Sequence, residues 1–96
     1  MQGQLMTYLA GVAHRPGARE RLARLIHGEE LTLIREPENP FDKNAVAVYD
    51  GDLHLGYVPA ADAPAVVRAL QSLPVHAIYL GAPATTTILI SWSDDE

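Results

Sequence analysis

The chain contains no cysteine, one phenylalanine and one tryptophan. Without thiols there is no disulfide framework, thiolate metal site or cysteine nucleophile, which fits a reducing compartment. Long apolar runs are also missing. Stretches such as Ala45 to Tyr49 are far too short to cross a bilayer, and the opening Met1-Gln2-Gly3-Gln4 lacks a basic region followed by a hydrophobic one. A soluble, cytoplasmic protein with no membrane partner is expected. Positive charge is scarce: seven Lys and Arg stand against twelve Asp and Glu, a net charge of −5. That balance argues against a protein that coats nucleic acid through bulk positive charge.

What is present is the composition of a folded globular protein, and 96 residues are enough for one core without covalent staples. A single domain over residues 1–96 is expected, with an acidic tail at 93–96. The charges are unevenly placed. Arg15, Arg19, Arg21 and Arg24 gather four of the seven cations, while Asp94, Asp95 and Glu96 close the chain.

Leu5 to Ala13 reads as a first strand, interrupted by Gly11 in the manner of a bulge or a close backbone approach. Pro16 and Gly17 open a short helix in which Ala18, Leu22, Leu25 and Ile26 recur at helical spacing, and His27-Gly28 supplies the stop. Its arginines fan around the solvent side. Leu31 to Arg35 is a second strand, ended by the Glu36-Pro37 step. Ala45 to Tyr49 and Leu53 to Val58 are strands joined through Asp50-Gly51, residues that tolerate the positive φ of a two-residue hairpin turn. Asp62 is placed to cap a second helix, with Pro64 in its first turn and Val67 and Leu70 facing inward to an end near Ser72. Val75 to Leu80 and Thr86 to Trp92 follow, joined through Gly81-Ala82-Pro83. The expectation is an α+β fold: a small six-stranded antiparallel barrel with two short helices.

Catalytic signatures are sparse. Ser72, Ser91 and Ser93 lie in no Gly-x-Ser-x-Gly turn, and His14, His27, His54 and His76 show neither i, i+4 pairing nor adjacent carboxylates. His54 and His76, in alternating strands, read as solvated. Asp50-Gly51-Asp52 lacks the later ligands of a calcium loop, and no glycine-rich phosphate cradle occurs. A hydrolase would rest on Asp42 alone, without the further carboxylates a metal needs. No enzyme activity and no cofactor are expected. Tyr8, Tyr49, Tyr79 and Trp92, all in strands, read as core packing, and Tyr57 fits wall or core equally well.

The most informative segment runs from Glu36 to Val46. Pro40 presets φ for a turn, and Asn39, Asp42 and Asn44 can hydrogen-bond their own backbone, so a structural turn accounts for much of it. Phe41 strains that account. The chain's one phenylalanine stands in a polar loop where a core role is not obvious, and an aromatic plate beside a carboxylate and an amide suits a nucleobase and a hydroxyl.

The order Gly11-Val12, Gly28 before Leu31-Thr32-Leu33, Arg35-Glu36-Pro37, Asn39-Pro40-Phe41-Asp42-Lys43-Asn44-Ala45-Val46-Ala47-Val48 and Leu55-Gly56-Tyr57-Val58-Pro59 resembles a HIRAN domain, over about Leu9 to Ile90. The resemblance implies a barrel similar to the oligonucleotide-binding fold, found fused to helicases and nucleases and also alone in bacteria. It implies capture of the free 3′ end of single-stranded DNA. On that resemblance Phe41 stacks the terminal base, Asp42 accepts a hydrogen bond from the 3′-hydroxyl, and Asn39 with the loop's backbone amides holds the last nucleotide. Asp42 would also repel a 3′-phosphate by charge. DNA-binding members carry an arginine followed by an aromatic after the first strand. Here the matching pair is Ala13-His14, with Arg15 displaced by two positions, and Ala60 stands where a basic residue would fit. His14, Arg15 and Tyr57 complete the expected DNA-binding set.

Two functions follow as expectations. The first is a non-enzymatic module in DNA repair or processing that holds a single-stranded 3′ end. The second is a protein-interaction module for a helicase or nuclease partner with no intrinsic DNA binding, which the net acidity, the Ala13-His14 departure and the acidic tail favour.

Overall fold

The computed structural model describes residues 2–94, so Asp95 and Glu96 of the expected acidic tail lie outside the described residues. Six strands form: β1 (Gln2–Tyr8), β2 (Glu30–Arg35), β3 (Val46–Asp50), β4 (Leu53–Tyr57), β5 (Val75–Tyr79) and β6 (Thr87–Ser93). A 3-10 turn (Val12–His14) and the helix α1 (Ala18–Leu22) follow β1, and the helix α2 (Ala63–Ser72) follows β4. The strands lie in the order β1-β6-β5-β2-β3-β4. Every neighbouring pair is antiparallel. The fold is α+β, as expected.

Local chemistry accounts for most of these elements. The run Val46-Ala47-Val48 is fully buried, which suits a strand covered on both faces. Asp50 closes β3 and Leu53 opens β4 across a tight turn in which Gly51 sits at φ +58°, the hairpin that Asp50-Gly51 signalled. In α2 the proline falls in the first turn, and Ala63, Val66, Val67 and Ala69 are buried while Arg68 stays out. Asp62 holds the N-cap position but makes no side-chain cap. Its carboxylate instead accepts the Thr7 hydroxyl at 2.8 Å, tying β1 to the start of α2. Leu55, Ile88, Ile90, Val46, Val48 and Val66 form the fully buried centre of one hydrophobic cluster shared by the sheet and both helices.

The ladder does not close into the expected barrel. β1 and β4 are the sheet's two edges. They communicate through an isolated bridge in which Ala10 and Tyr57 exchange backbone hydrogen bonds of 2.8 and 2.9 Å. Pairing stops there because Gly11, at φ +74°, turns the chain into the 3-10 segment. For the same reason strand one occupies Gln2–Tyr8 rather than Leu5–Ala13. Its polar beginning pairs Gln2 with Ser93 and Gln4 with Ser91, partners invisible to local hydrophobicity.

The first helix is also shorter than its apolar spacing suggests. Ala18 and Leu22 are buried, but Ile26 is 69% exposed and the helix ends at Leu22. Beyond it, pairing with β5 takes over: the Gly28 amide donates to the Tyr79 carbonyl at 2.7 Å and the Tyr79 amide to the Glu29 carbonyl at 2.8 Å. Tyr79 is buried, with its hydroxyl on the Thr85 carbonyl at 2.7 Å, as a core tyrosine should be. Tyr8 is not: it is 53% exposed on the same face of β1 as Met6, because alternate residues of that strand face out. No helix of the described residues is long and apolar enough to cross a membrane.

Candidate functional site

The loop of residues 36–45 is built by its own side chains. The Glu36 amide donates to the Ala45 carbonyl at 2.9 Å and so joins the loop's two ends. Within it, the Asn39 side-chain oxygen accepts from the Phe41 and Asp42 amides at 2.9 and 3.1 Å, and Asp42 Oδ1 accepts from the Asn44 amide at 2.9 Å. These are the Asx-type bonds expected of Asn and Asp in turns. They also revise one expectation. The amides of Phe41, Asp42 and Asn44 are engaged inside the loop rather than free for a nucleotide, and both lone pairs of the Asn39 oxygen are occupied.

The loop is anchored from the sheet. Glu36 Oε1 accepts from Asn39 Nδ2 and from the Tyr57 hydroxyl, each at 2.9 Å. The Asn39 bond, helped by Tyr57 and by the nearby His54 and Arg15, outweighs burial and holds the Glu36 carboxyl below its ordinary range. Tyr57 is pushed the other way, by burial first and then by the carboxylate that accepts its hydroxyl. Tyr57 therefore stands in the wall of the site, at the end of β4, with its phenol oriented by Glu36.

With this framework in place the Phe41 ring points into solvent. It is 95% exposed, the most exposed large apolar side chain among the described residues. Phe41 and Asp42 line an open cleft of about 420 Å³ together with Arg15, Asn39 and Tyr57, with apolar surface from Ala10, Pro40, Ala45, Val58 and Ala60. That volume lies within the range of about 300–1,000 Å³ common for ligand sites. Five of the six residues expected from sequence thus meet at one cleft. His14, exposed at the end of the 3-10 turn, does not line it. A second cleft, which shares Asn39, Pro40 and Tyr57 with the first, carries Glu36 and Glu38, a charge unsuited to a phosphate chain.

Sequence reasoning missed two contributors. Glu36 heads the informative segment in the sequence but carries no site role there, yet it joins Asn39 to Tyr57. His54 was read as a solvated strand residue, yet it is half-buried and in contact on several sides. Its ring stacks on Tyr49 with centroids 4.7 Å apart and meets the edge of Tyr57 at 4.9 Å. Arg15 Nη1 lies 2.9 Å from its Nδ1, and its Nε2 lies 3.0 Å from the Gly56 carbonyl. Burial, then the Arg15 charge, hold its imidazole below the ordinary histidine range. Arg21 pairs with Asp50 at 2.7 Å, which takes one of the clustered arginines out of the free basic surface.

Chemically, the cleft offers an aromatic face, a carboxylate with remaining acceptor capacity, a phenol and a guanidinium, all beside apolar floor. Among the described residues no group of three His, Asp or Glu is placed to hold a metal ion.

Comparison with known proteins agrees with this fold. No curated protein matches the chain in sequence. Among solved structures, the chain is similar to the HIRAN domain of human HLTF, with a TM-score of 0.74 and 22% identity over 94% of this chain and 74% of that one. It is also similar to a protein from Lactobacillus plantarum, with a TM-score of 0.76 and 20% identity over 96% of both chains. At these identities the likeness carries the fold. The family model for the HIRAN domain matches residues 2–91, nearly the whole chain, and the protein therefore belongs to the HIRAN domain family.

Proposed function

We propose that the protein is a non-enzymatic DNA-binding module that holds the 3′-hydroxyl end of single-stranded DNA in the cleft beneath Phe41, in a repair or processing context. Family membership makes nucleic acid the natural ligand class. The observation that carries the reading is the Phe41 ring, 95% exposed above a cleft shared with Asp42 and Arg15. Folding gains little from leaving such a ring in water, whereas a base stacked on it would contribute roughly 1–3 kcal/mol without regard to sequence.

The remaining roles follow from charge. Arg15 meets a backbone phosphate, the Tyr57 phenol bounds the sugar, and Asp42 accepts the terminal hydroxyl. One Asp42 oxygen already accepts from the Asn44 amide, but an ionised carboxylate has about four lone-pair positions and can accept again. Asn39 serves by shaping the loop rather than by gripping the nucleotide.

Fluorescence anisotropy with a short oligonucleotide ending in a 3′-hydroxyl, repeated with a 3′-phosphate, tests the mechanism. The hydroxyl end binds more tightly; equal affinities would remove Asp42 from the role assigned to it. The alternative, a module docking on a helicase or nuclease, draws on Met6 and Tyr8, exposed together on β1. Capture of a partner that survives nuclease treatment, by a protein that binds no oligonucleotide, would favour it.

A further inference from the structure

We propose that His54 is the positioning residue of the cleft: as a neutral ring accepting at Nδ1, it holds the Arg15 guanidinium where a backbone phosphate is bound, and it releases Arg15 when protonated. The proposal rests on the reading of the cleft as a DNA-end site and adds to it both a residue outside the cleft lining and a dependence on pH.

The protonation state follows from hydrogen-bond chemistry. A guanidinium has donors and no acceptor, so the 2.9 Å contact between Arg15 Nη1 and His54 Nδ1 requires an unprotonated Nδ1. The proton then sits on Nε2, which donates to the Gly56 carbonyl at 3.0 Å. Each ring nitrogen has one partner, and the two partners demand the same tautomer. The ring itself is fixed by the Tyr49 stack, whose planes differ by 12°, and by the Tyr57 edge. Arg15 follows the 3-10 turn and would otherwise sweep solvent on a long flexible stem. A fixed acceptor on β4 converts it into a directed charge.

A proton on Nδ1 would place donor against donor and cation against cation at the same separation. The groups facing His54 are Arg15 from the turn before α1, Tyr49 from β3, Tyr57 from β4 and Glu36 from the loop. The Gly56 carbonyl, which accepts from the ring, and Glu36 favour the imidazolium, and the Glu36 Oε1 is already shared between Asn39 and Tyr57. On α1, Arg21 is turned to Asp50. Burial and Arg15 prevail, so the neutral ring persists below the ordinary histidine value of 6.5.

The test uses the full chain and an oligothymidylate with a 3′-hydroxyl, whose bases do not titrate in the range explored. His54→Phe keeps the stack and removes the acceptor; His54→Asn keeps an acceptor near the Nδ1 position and removes the titration. At pH 7.5, His54→Phe weakens binding about tenfold, the scale of one lost charge-assisted contact, and has no further effect in an Arg15→Gln background. His54→Asn retains affinity. As pH falls below 6.5 and through the lowered His54 value, the wild type loses affinity and His54→Asn does not. Wild-type binding by His54→Phe at pH 7.5, or a pH profile shared by wild type and His54→Asn, would overturn the proposal.

Nitrogen-15 NMR of the free protein separates this proposal from the function it builds on. The Arg15 guanidinium and His54 ring signals titrate together if the two are coupled. Independent titration sinks the positioning role whether or not DNA binds. Coupled titration in a protein that binds no oligonucleotide sinks the DNA-end reading and leaves the Arg15–His54 arrangement standing.

Discussion

A Cβ atom placed on Gly56 would stand 2.6 Å from the carbonyl oxygen of Ala10. The glycine is therefore what permits the Ala10–Tyr57 bridge, the link by which the chain after β1 reaches β4 and sets Arg15 beside the cleft. Gly56→Ala forces a backbone oxygen to shift, and backbone yields less readily than a side-chain tip. The expected cost is about 1–3 kcal/mol, the usual scale of overpacking. Urea denaturation checks it: the midpoint falls and the slope is unchanged. The variant also weakens oligonucleotide binding, since Tyr57 and Arg15 lose their common support.

Phe41→Ala separates folding from function. A ring 95% exposed contributes little to the core, so the change in stability stays within about 0.5 kcal/mol. Affinity for a single-stranded oligonucleotide falls by roughly 1–3 kcal/mol, the worth of one stacked base. Thermal melting and anisotropy on the same preparation check both halves. A large loss of stability would mean that the ring belongs to the fold.

Glu36→Gln tests the link between loop and sheet through pH. Hydrogen bonds from Asn39 and Tyr57 keep the Glu36 carboxyl below its ordinary value of 4.5 in the folded chain, so the folded state binds that proton more weakly than the unfolded one. The stabilisation is present in full above 4.5 and is lost as pH falls through the lowered folded value. Wild type is accordingly more stable than Glu36→Gln at pH 6, and the difference shrinks toward pH 3.5. Paired urea titrations at the two pH values check this; a gap that does not narrow would show that the charge on Glu36 is irrelevant.

Thr7→Val preserves shape and removes the hydroxyl that donates to Asp62 at 2.8 Å. The expected loss is about 1 kcal/mol, because the bond joins β1 to the first turn of α2 and Thr7 is nearly buried. Double substitution with Asp62→Ala reads the coupling directly, and additive losses would show that the two side chains do not interact.

Legibility in the sequence tracked how far apart the interacting residues lie along the chain. The β3–β4 hairpin was readable because Asp50-Gly51 and the flanking apolar residues are contiguous, and the 36–45 loop because Asn39, Asp42 and Asn44 bond their own neighbours. Phe41 stood out as an aromatic with no apolar context. The HIRAN resemblance rested on the same contiguous residues. What escaped was non-local. Arg15 and His54 are 39 positions apart and Tyr57 and Glu36 are 21 apart, so neither pair leaves a local pattern. Strand one escaped at its start because Gln2 and Gln4 carry no hydrophobic signal and owe their place to β6. The ladder stays open at Gly11, whose positive φ belongs to a turn and not to the bulge or close backbone approach expected there.

The inward bonding of the 36–45 loop has a kinetic consequence. Because Asn39, Asp42 and Glu36 already tie its backbone, the conformational freedom of this segment is surrendered during folding and not at the encounter with a ligand. On the proposed reading, a nucleotide arriving at Phe41 would meet a preorganised surface, so association would proceed as a single collision-controlled step and differences among ligands would emerge in how long each one stays.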